Sequence, residues 1–347
     1  MHGIARYAWN LLQQLLRLDQ ENDYGVLVTR PGIQGHFHTV RPVKWITIPI
    51  PPYTIQEQVL LPFRLRREDF EVYHTPTYTI PLIFARRGMV TIHDLIHLLF
   101  PGDYSRLHRL YYWGILRPVV TRARRVFTVS QNSKKDLVRL LNCREEKIVV
   151  TPNGLEADWK PHSGDYRFQN RYGLQGGYLL FVGNPRPHKN FLRVLEAYQR
   201  LVQEDHYAGK LVVIGIDSLT LPDYWKDRVI LLSHCNDQEL IQFYSGAKLL
   251  LAPSLYEGFG LPVLEAMACG CPVLIGNQGA LPEVAGEAGL QVDPYQVSEI
   301  VIGLKRILHN DPQRRSLREQ GVKRAALFSW SKTAQIVLET YKDLERK

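Results

Sequence analysis

Short apolar runs alternate along this chain with longer segments whose apolar residues recur at helical spacing. In the first half the runs are "YGVLVT" (24–29), "KWITI" (44–48), "EVYH" (71–74), "MVTIHD" (89–94), "RVFTVS" (125–130) and "KIVVTPN" (147–153). Helices are predicted at 4–18, 106–122 and 131–141. A polar stretch from Gly154 to Leu174 has no period and reads as a linker. The alternation resumes with "YLLFVG" (178–183), a helix from Phe191, "KLVVIG" (210–215), "RVILLS" (228–233), "AKLLLAP" (247–253) and "CPVLIG" (271–276), and helices fill the C-terminal end. Near-continuous apolar strands separated by helices belong to parallel sheets covered on both faces. The pattern predicts an α/β protein of two doubly wound domains. Ligands in such sheets sit beyond the carboxyl ends of the strands, so the site is expected in the cleft between the domains.

One strand–turn–helix unit carries the most chemistry. In "LYEGFGLPVLEAMACGCPVL" (255–274), Glu257 and Glu265 flank two glycines and a proline. Gly258, Gly260 and Pro262 oppose a continuous helix. The chain therefore leaves a strand at Pro253, turns through Glu257–Gly260, and starts a helix near Leu261 with Pro262 in its first turn. Free N–H groups at such a helix start suit phosphate. The two carboxylates suit ribose and hexose hydroxyls, although solvated glutamates in a surface turn would give the same spacing.

Two other loops lie at strand ends. "FVGNPRPHKNFLRVLEAY" (181–198) places Arg186 and Lys189 just before a helix, where cations and N–H groups can hold a diphosphate. A solvated loop lysine is the alternative. "TIHDL" (91–95) puts His93 and Asp94 at a strand end, either as a buried hydrogen-bonded pair or with His93 reaching a sugar or acceptor hydroxyl. "PNG" (152–154) occupies the same position before the linker.

Composition narrows the classes. The chain has 347 residues, enough for two domains, and no apolar stretch long enough to span a bilayer. No signal peptide is visible at the start, and the four cysteines lack zinc or redox spacing, so a reduced, cytoplasmic setting is expected. The net charge is +9, and residues 1–160, with 22 Lys+Arg against 14 Asp+Glu, carry +8 of it. Its clusters are "RLRR" (64–67), "RR" (86–87) and "RARR" (122–125). An anionic membrane surface or a phosphorylated acceptor would explain them, and so would plain solvated faces. Nucleic acid is not expected, because no stacking platform or binding motif accompanies the arginines. There is no Asp-x-Asp clamp, no G-x-x-x-x-G-K loop, no G-x-S-x-G elbow and no His-Glu-x-x-His pair. A diphosphate would then be neutralised by Arg186, Lys189 and helix termini, with no metal cofactor.

"EGFGLPVLE" is similar to the glutamate–seven residues–glutamate motif of retaining glycosyltransferases of family four, which have the GT-B fold. The segments "EQVLLPFRLRREDFEVYHTPTYTIPL", "TIHDL", "FTVSQNSKKDL", "VVTPNGL", "FVGNPRPHKN", "GALPEVAGEAGLQVDP" and "FSWSKTA" resemble the family's in the family's order, over nearly the whole chain. The resemblance implies two Rossmann-like domains: 1–160 on the acceptor side and 161–330 for the donor. A last helix, 331–347, is expected to pack back toward the first domain. It implies that Glu257 contacts the donor sugar and Glu265 the ribose, and that Lys189 and Arg186 hold the diphosphate. His93 would lie beside the donor sugar and the attacking hydroxyl. Asn184, Ser254, Gly258, Phe259, Gly260 and Leu261 would line the donor, with Asp94 and Tyr78 on the acceptor side. Many members have arginine where this chain has Asn184, so Arg186 is assigned that role in its place.

The activity implied is metal-independent hexosyl transfer with retention. The donor is a nucleotide sugar, GDP-mannose first and UDP-hexoses next. The acceptor is a glycan or lipid-linked hydroxyl in surface-polysaccharide synthesis, reached by an enzyme peripheral to the inner face of the membrane. A sugar-nucleotide epimerase and a non-catalytic sugar-nucleotide-binding protein are the rival readings. "MHGIARY" (1–7) resembles the glycine-rich loop that follows the family's first strand, with Gly3 its donor-side glycine. Here no strand precedes it. The expectation is a shortened N-terminus, a first domain frayed near 1–20, and an open position beside the neighbouring strands.

Overall fold

The predicted apolar runs become parallel strands with helices laid over them. The computed structural model describes all residues except 1–2, 31, 33–34, 36–37, 52–53, 69, 78–79, 104–109, 164–165, 217–224 and 346–347. The chain divides into a first unit, Met1–Gly154 with Ser329–Lys347, and a second unit, Leu155–Phe328.

The first unit opens with helix α1 (Gly3–Leu18), whose Tyr7, Leu11 and Leu15 recur every fourth residue and are buried. This corrects two expectations. Gly3 begins a helix rather than sitting in a loop, and residues 3–18 are ordered as helix because that apolar stripe has something to pack on. Their partner is the C-terminal helix Trp330–Glu345, with the Tyr7 and Trp330 rings edge-on at 5.7 Å. Strands β1 (Gly25–Val28) and β2 (Lys44–Thr47) pair in parallel. Helix α2 (Ile55–Leu65) was not predicted, because Pro62 lies inside it and its apolar residues do not keep to one side. Its start is set by Thr54, whose hydroxyl accepts the Glu57 N–H at 3.3 Å.

Next come β3 (Tyr73–Thr75), β4 (Gly88–Ile92), the short α3 (Ile96–Leu99), α4 (Arg117–Arg122), β5 (Arg125–Thr128), α5 (Gln131–Leu141) and β6 (Ile148–Val150). The predicted 106–122 helix is seen as a π-helical turn, Tyr112–Leu116, running into α4. Residues 104–109 lie outside the described residues. Helix α5 has the predicted bounds, set by the Ser130 hydroxyl capping Ser133 N at 3.0 Å and by Asn142 in the left-handed conformation.

Strands β3-β4-β5-β6 form one sheet and β1-β2 another. Among the described residues, β1 pairs only with β2, and β3 only with β4. A cavity of about 490 Å³ is walled by both Gly25–Val28 and Tyr73–Thr75 and covered by Ala8, Leu11, Leu12 and Leu15 of α1.

The second unit begins inside the stretch read as a linker. Trp159 is buried there and Tyr166–Tyr172 is a helix, α6. Phe168 and Tyr172 stack against Phe243 at 4.7 and 5.1 Å between ring centroids, tertiary contacts that a search for local period cannot register. The sheet contains β7 (Tyr178–Val182), β8 (Lys210–Ile214), β9 (Val229–Leu232), β10 (Leu249–Ala252), β11 (Val273–Gly276) and β12 (Gly289–Val292). Its order is β12-β11-β10-β7-β8-β9, all parallel. Helices α7 (Phe191–Asp205), α8 (Asp237–Gly246), α9 (Leu261–Ala268), α10 (Leu281–Ala285), α11 (Val297–Leu308) and α12 (Asp311–Ala325) accompany it. The chain builds one wing outward from β7 and then returns to build the other from β10. The loops after β7 and β10 therefore lie side by side at the reversal of strand order, where doubly wound sheets bind ligands. Among the described residues no helix is long and apolar enough to cross a membrane.

Candidate active site

The loop after β7 and the loop after β10 meet through charge. Lys189 Nζ donates to Glu257 Oε1 at 2.7 Å, although the two are 68 positions apart. Both side chains keep only a small exposed fraction. Ser254 Oγ donates to the same oxygen at 2.8 Å. An ammonium has three N–H donors; among the described residues only the one to Glu257 is used, which leaves two for an incoming oxygen anion. The lysine was a candidate for diphosphate and the glutamate for a sugar, and the fold sets them in contact.

Backbone contacts fix this arrangement. Leu255 N donates to His188 O at 2.7 Å, tying one loop to the other. Asn190, in the left-handed conformation at φ 62°, sends Nδ2 to Pro253 O at 2.9 Å and to Pro294 O at 2.6 Å. Behind Glu257, Ala280 N donates to Glu257 O at 3.1 Å. A Cβ on Gly279 would lie 2.8 Å from Glu257 N, and its φ of +65° favours glycine as well. Neither Asn190 nor Gly279 was among the predicted site residues. Asn190 could be read as a residue before a helix, but its partners lie more than sixty residues away and only the sheet order brings them close.

Beyond Glu257 the chain passes Gly258 and the buried Phe259, whose ring meets Phe328 edge-on at 5.8 Å. Gly260, at φ +97°, then turns into α9, whose first residue is Leu261 and which carries Pro262 in its first turn, as predicted. Glu265 does not stand open in the turn. It is buried in α9, and its Oε2 accepts the Tyr244 hydroxyl at 3.1 Å. That carboxylate raises the Tyr244 pKa beyond what burial alone does. In the other loop Arg186 is exposed, and its backbone N–H donates to Asn184 Oδ1 at 3.4 Å.

In the first unit, His93 Nε2 meets Pro76 O at 2.9 Å. A carbonyl only accepts, so Nε2 carries the proton and Nδ1 keeps its lone pair. Burial lowers the His93 pKa, more than the Pro76 carbonyl and Asp94 raise it, so the ring is neutral at pH 7. The Tyr7 ring stands edge-on to it at 4.8 Å. Asp94 does not pair with His93; its Oδ1 accepts Ile96 N at 3.0 Å, closing the turn into α3. Tyr78 lies outside the described residues.

Parallel α/β sheets in both units, with a glutamate–seven residues–glutamate loop at the strand-order reversal of the second, match a glycosyltransferase of the GT-B fold. The fold is shared with sucrose-phosphate synthase from Thermosynechococcus elongatus (TM-score 0.77, 20% identity, 99% of this chain and 94% of that one). It is shared also with Anabaena HepE solved with UDP and glucose (TM-score 0.76, 17% identity, 98% and 96%). Residues 1–159 match Glycosyltransferase Family 4, and residues 164–324 match Glycosyl transferases group 1. The O-antigen chain mannosyltransferase B of Escherichia coli is 31% identical over 288 residues, 78% of this chain and 74% of that protein. The chain belongs to glycosyltransferase family 4.

Proposed function

We propose that the protein transfers a hexose, mannose in the first instance, from a nucleotide sugar to a hydroxyl of a lipid-linked glycan, with retention and without a metal. The observation that carries this is the Lys189–Glu257 pair at the reversal of the second unit's sheet. In the reaction the bond from the anomeric carbon to the diphosphate oxygen breaks, and the acceptor oxygen bonds to that carbon on the same face. The acceptor's proton goes to the departing diphosphate. Lys189, with two N–H donors to spare, stabilises the charge that develops there, and Arg186 is assigned to the same diphosphate. Glu257 binds sugar hydroxyls, Glu265 is assigned to the ribose, and neutral His93 contacts the acceptor or donor hydroxyls.

Mannose is favoured by the relative named as an O-antigen chain mannosyltransferase, which also supports a surface polysaccharide as product. UDP-hexoses are the second choice, since HepE was solved with UDP and glucose. Such an enzyme would work at the cytoplasmic face of a membrane.

The test incubates the protein with GDP-mannose and UDP-hexoses, with and without a lipid-linked glycan and with EDTA present. Nucleoside diphosphate release is followed, and the new linkage is read by NMR. Acceptor-dependent release with a retained anomer is expected. An inverted product, or turnover abolished by EDTA, would sink the mechanism; interconversion of nucleotide sugars without acceptor would establish an epimerase.

A further inference from the structure

Asparagine is among the residues best suited to cap a helix start. Asn190 stands at the N-terminal edge of α7, yet its side chain makes no capping bond. It reaches across the end of the sheet instead, with Nδ2 donating to Pro253 O at 2.9 Å and to Pro294 O at 2.6 Å. Asn190 directly follows Lys189, and Pro253 directly precedes Ser254, whose hydroxyl holds Glu257. One buried amide thus ties the loop of the lysine to the loop of the glutamate, and both to the loop after β12.

That clamp works in one orientation only. A carbonyl accepts and cannot donate, so the amide nitrogen must face the two prolines and Oδ1 must face away. Turned over, the amide would set its own oxygen against both carbonyls and lose both bonds. A buried amide oxygen needs a donor of its own, and Arg193 Nη1 supplies it at 2.8 Å. A guanidinium carries donors alone, so it can hold the oxygen and never the nitrogen. Arg193 lies three residues along α7, where side chains share a face. Its next helical neighbour, Glu196, does not draw it away, because that carboxylate pairs with Arg200 at 2.7 Å. The Arg193 guanidinium is steadied over the Tyr295 ring, 5.9 Å from the centroid, and Tyr295 directly follows Pro294.

We propose that Arg193 is a positioning residue for the transfer: by fixing the Asn190 amide, it sets the spacing of the loops that present Lys189 and Glu257 to the donor. Arg193 acts through Asn190 and not on the substrate. The inference rests on the reading of Lys189 as a diphosphate ligand and deepens it, since it names the group that keeps the lysine's loop in register with the glutamate's.

The test is calorimetric binding of GDP and of UDP to the full chain and its variants. Arg193→Met keeps the apolar stem and removes the donors, and should weaken nucleoside diphosphate binding about tenfold. Arg193→Lys restores a cationic donor without the planar fork and should recover part of the loss. Lys189→Ala should weaken binding on its own. Adding Arg193→Met to it should cost less than about twofold more, because the loop then has no cation left to place. Arg200→Met, which breaks the exposed pair with Glu196 on the same helix, should bind like the parent. Equal binding by Arg193→Met and the parent overturns the proposal. So does a loss as large in the Lys189→Ala background as in the parent, which is what general loosening of the unit would give. A parent that binds neither nucleotide, or a Lys189→Ala variant that binds like the parent, removes the diphosphate reading and this inference with it. Loss in Lys189→Ala without loss in Arg193→Met sinks the inference alone.

Discussion

The two units share an architecture but close their sheets differently. In the second, six parallel strands run without a break, and the reversal between β7 and β10 is where Lys189 meets Glu257. In the first, the strands fall into a pair and a group of four, with a 490 Å³ cavity walled by the edges of β1 and β3. A continuous sheet satisfies its backbone groups and fills its core, which makes its loops a rigid base for a charged site. The divided sheet leaves two edges and an apolar space facing each other, so its helices carry more of the burden of holding the unit together. Chemistry that needs fixed geometry belongs on the first kind of scaffold, and the candidate donor residues Lys189 and Glu257 are there.

The largest effect should come from the charge pair. Lys189→Ala is expected to lower turnover about 10²–10³-fold by removing a donor to the developing diphosphate charge. The substitution also leaves the largely buried Glu257 carboxylate without its cation, so the second unit should lose some stability as well. Steady-state kinetics beside hydrogen-exchange mass spectrometry would separate the two, and undiminished turnover would remove Lys189 from the mechanism.

Acid should act on the divided unit first. His74 is buried between Tyr341, at 2.5 Å from Nδ1, and Thr91, at 2.8 Å from Nε2. Burial, with a smaller contribution from His93, lowers its pKa from 6.5 to about 3. The unfolded chain therefore binds a proton that the folded chain refuses between those values. Stability from this group is complete above pH 6.5 and falls as the pH drops toward 3, by about 3 kcal/mol at pH 4.5. Exchange measured from pH 7 to 4.5 should show amides of β3 and β4 losing protection before those of β7 and β10. The reverse order would contradict this assignment.

The same kind of substitution should have opposite signs in the two units. Ala8→Leu adds apolar volume where α1 covers the cavity and should stabilise by about 1–2 kcal/mol. Ala197→Leu, in the filled core of the second unit, should cost about 1–3 kcal/mol by overpacking. Denaturant titration of each variant checks the pair. The smallest effect concerns Gly279, where alanine must tolerate a positive φ and approach the Glu257 backbone. A cost of about 1 kcal/mol is expected, with a rise in KM for the donor larger than any fall in kcat.

Strand periods, the glycine turn, the start of α9 at Leu261 and the bounds of α5 were all readable in the residues, because each depends on neighbours a few positions away. So was the candidacy of Lys189 and Glu257, whose chemistry is local. Helix α2 escaped because its apolar residues serve two surfaces, and α6 because its period is hidden among aromatics that pack on Phe243. The sequence by itself determined which segments extend, which coil, and which side chains can meet phosphate or sugar. Tertiary structure alone decided that Lys189 and Glu257 share a hydrogen bond, that Asn190 clamps their loops, that Glu265 turns to Tyr244, and that β1 and β3 face each other across a cavity. The reason is sheet order: partners tens of residues apart become neighbours only when strands choose their places, and no local pattern encodes that choice.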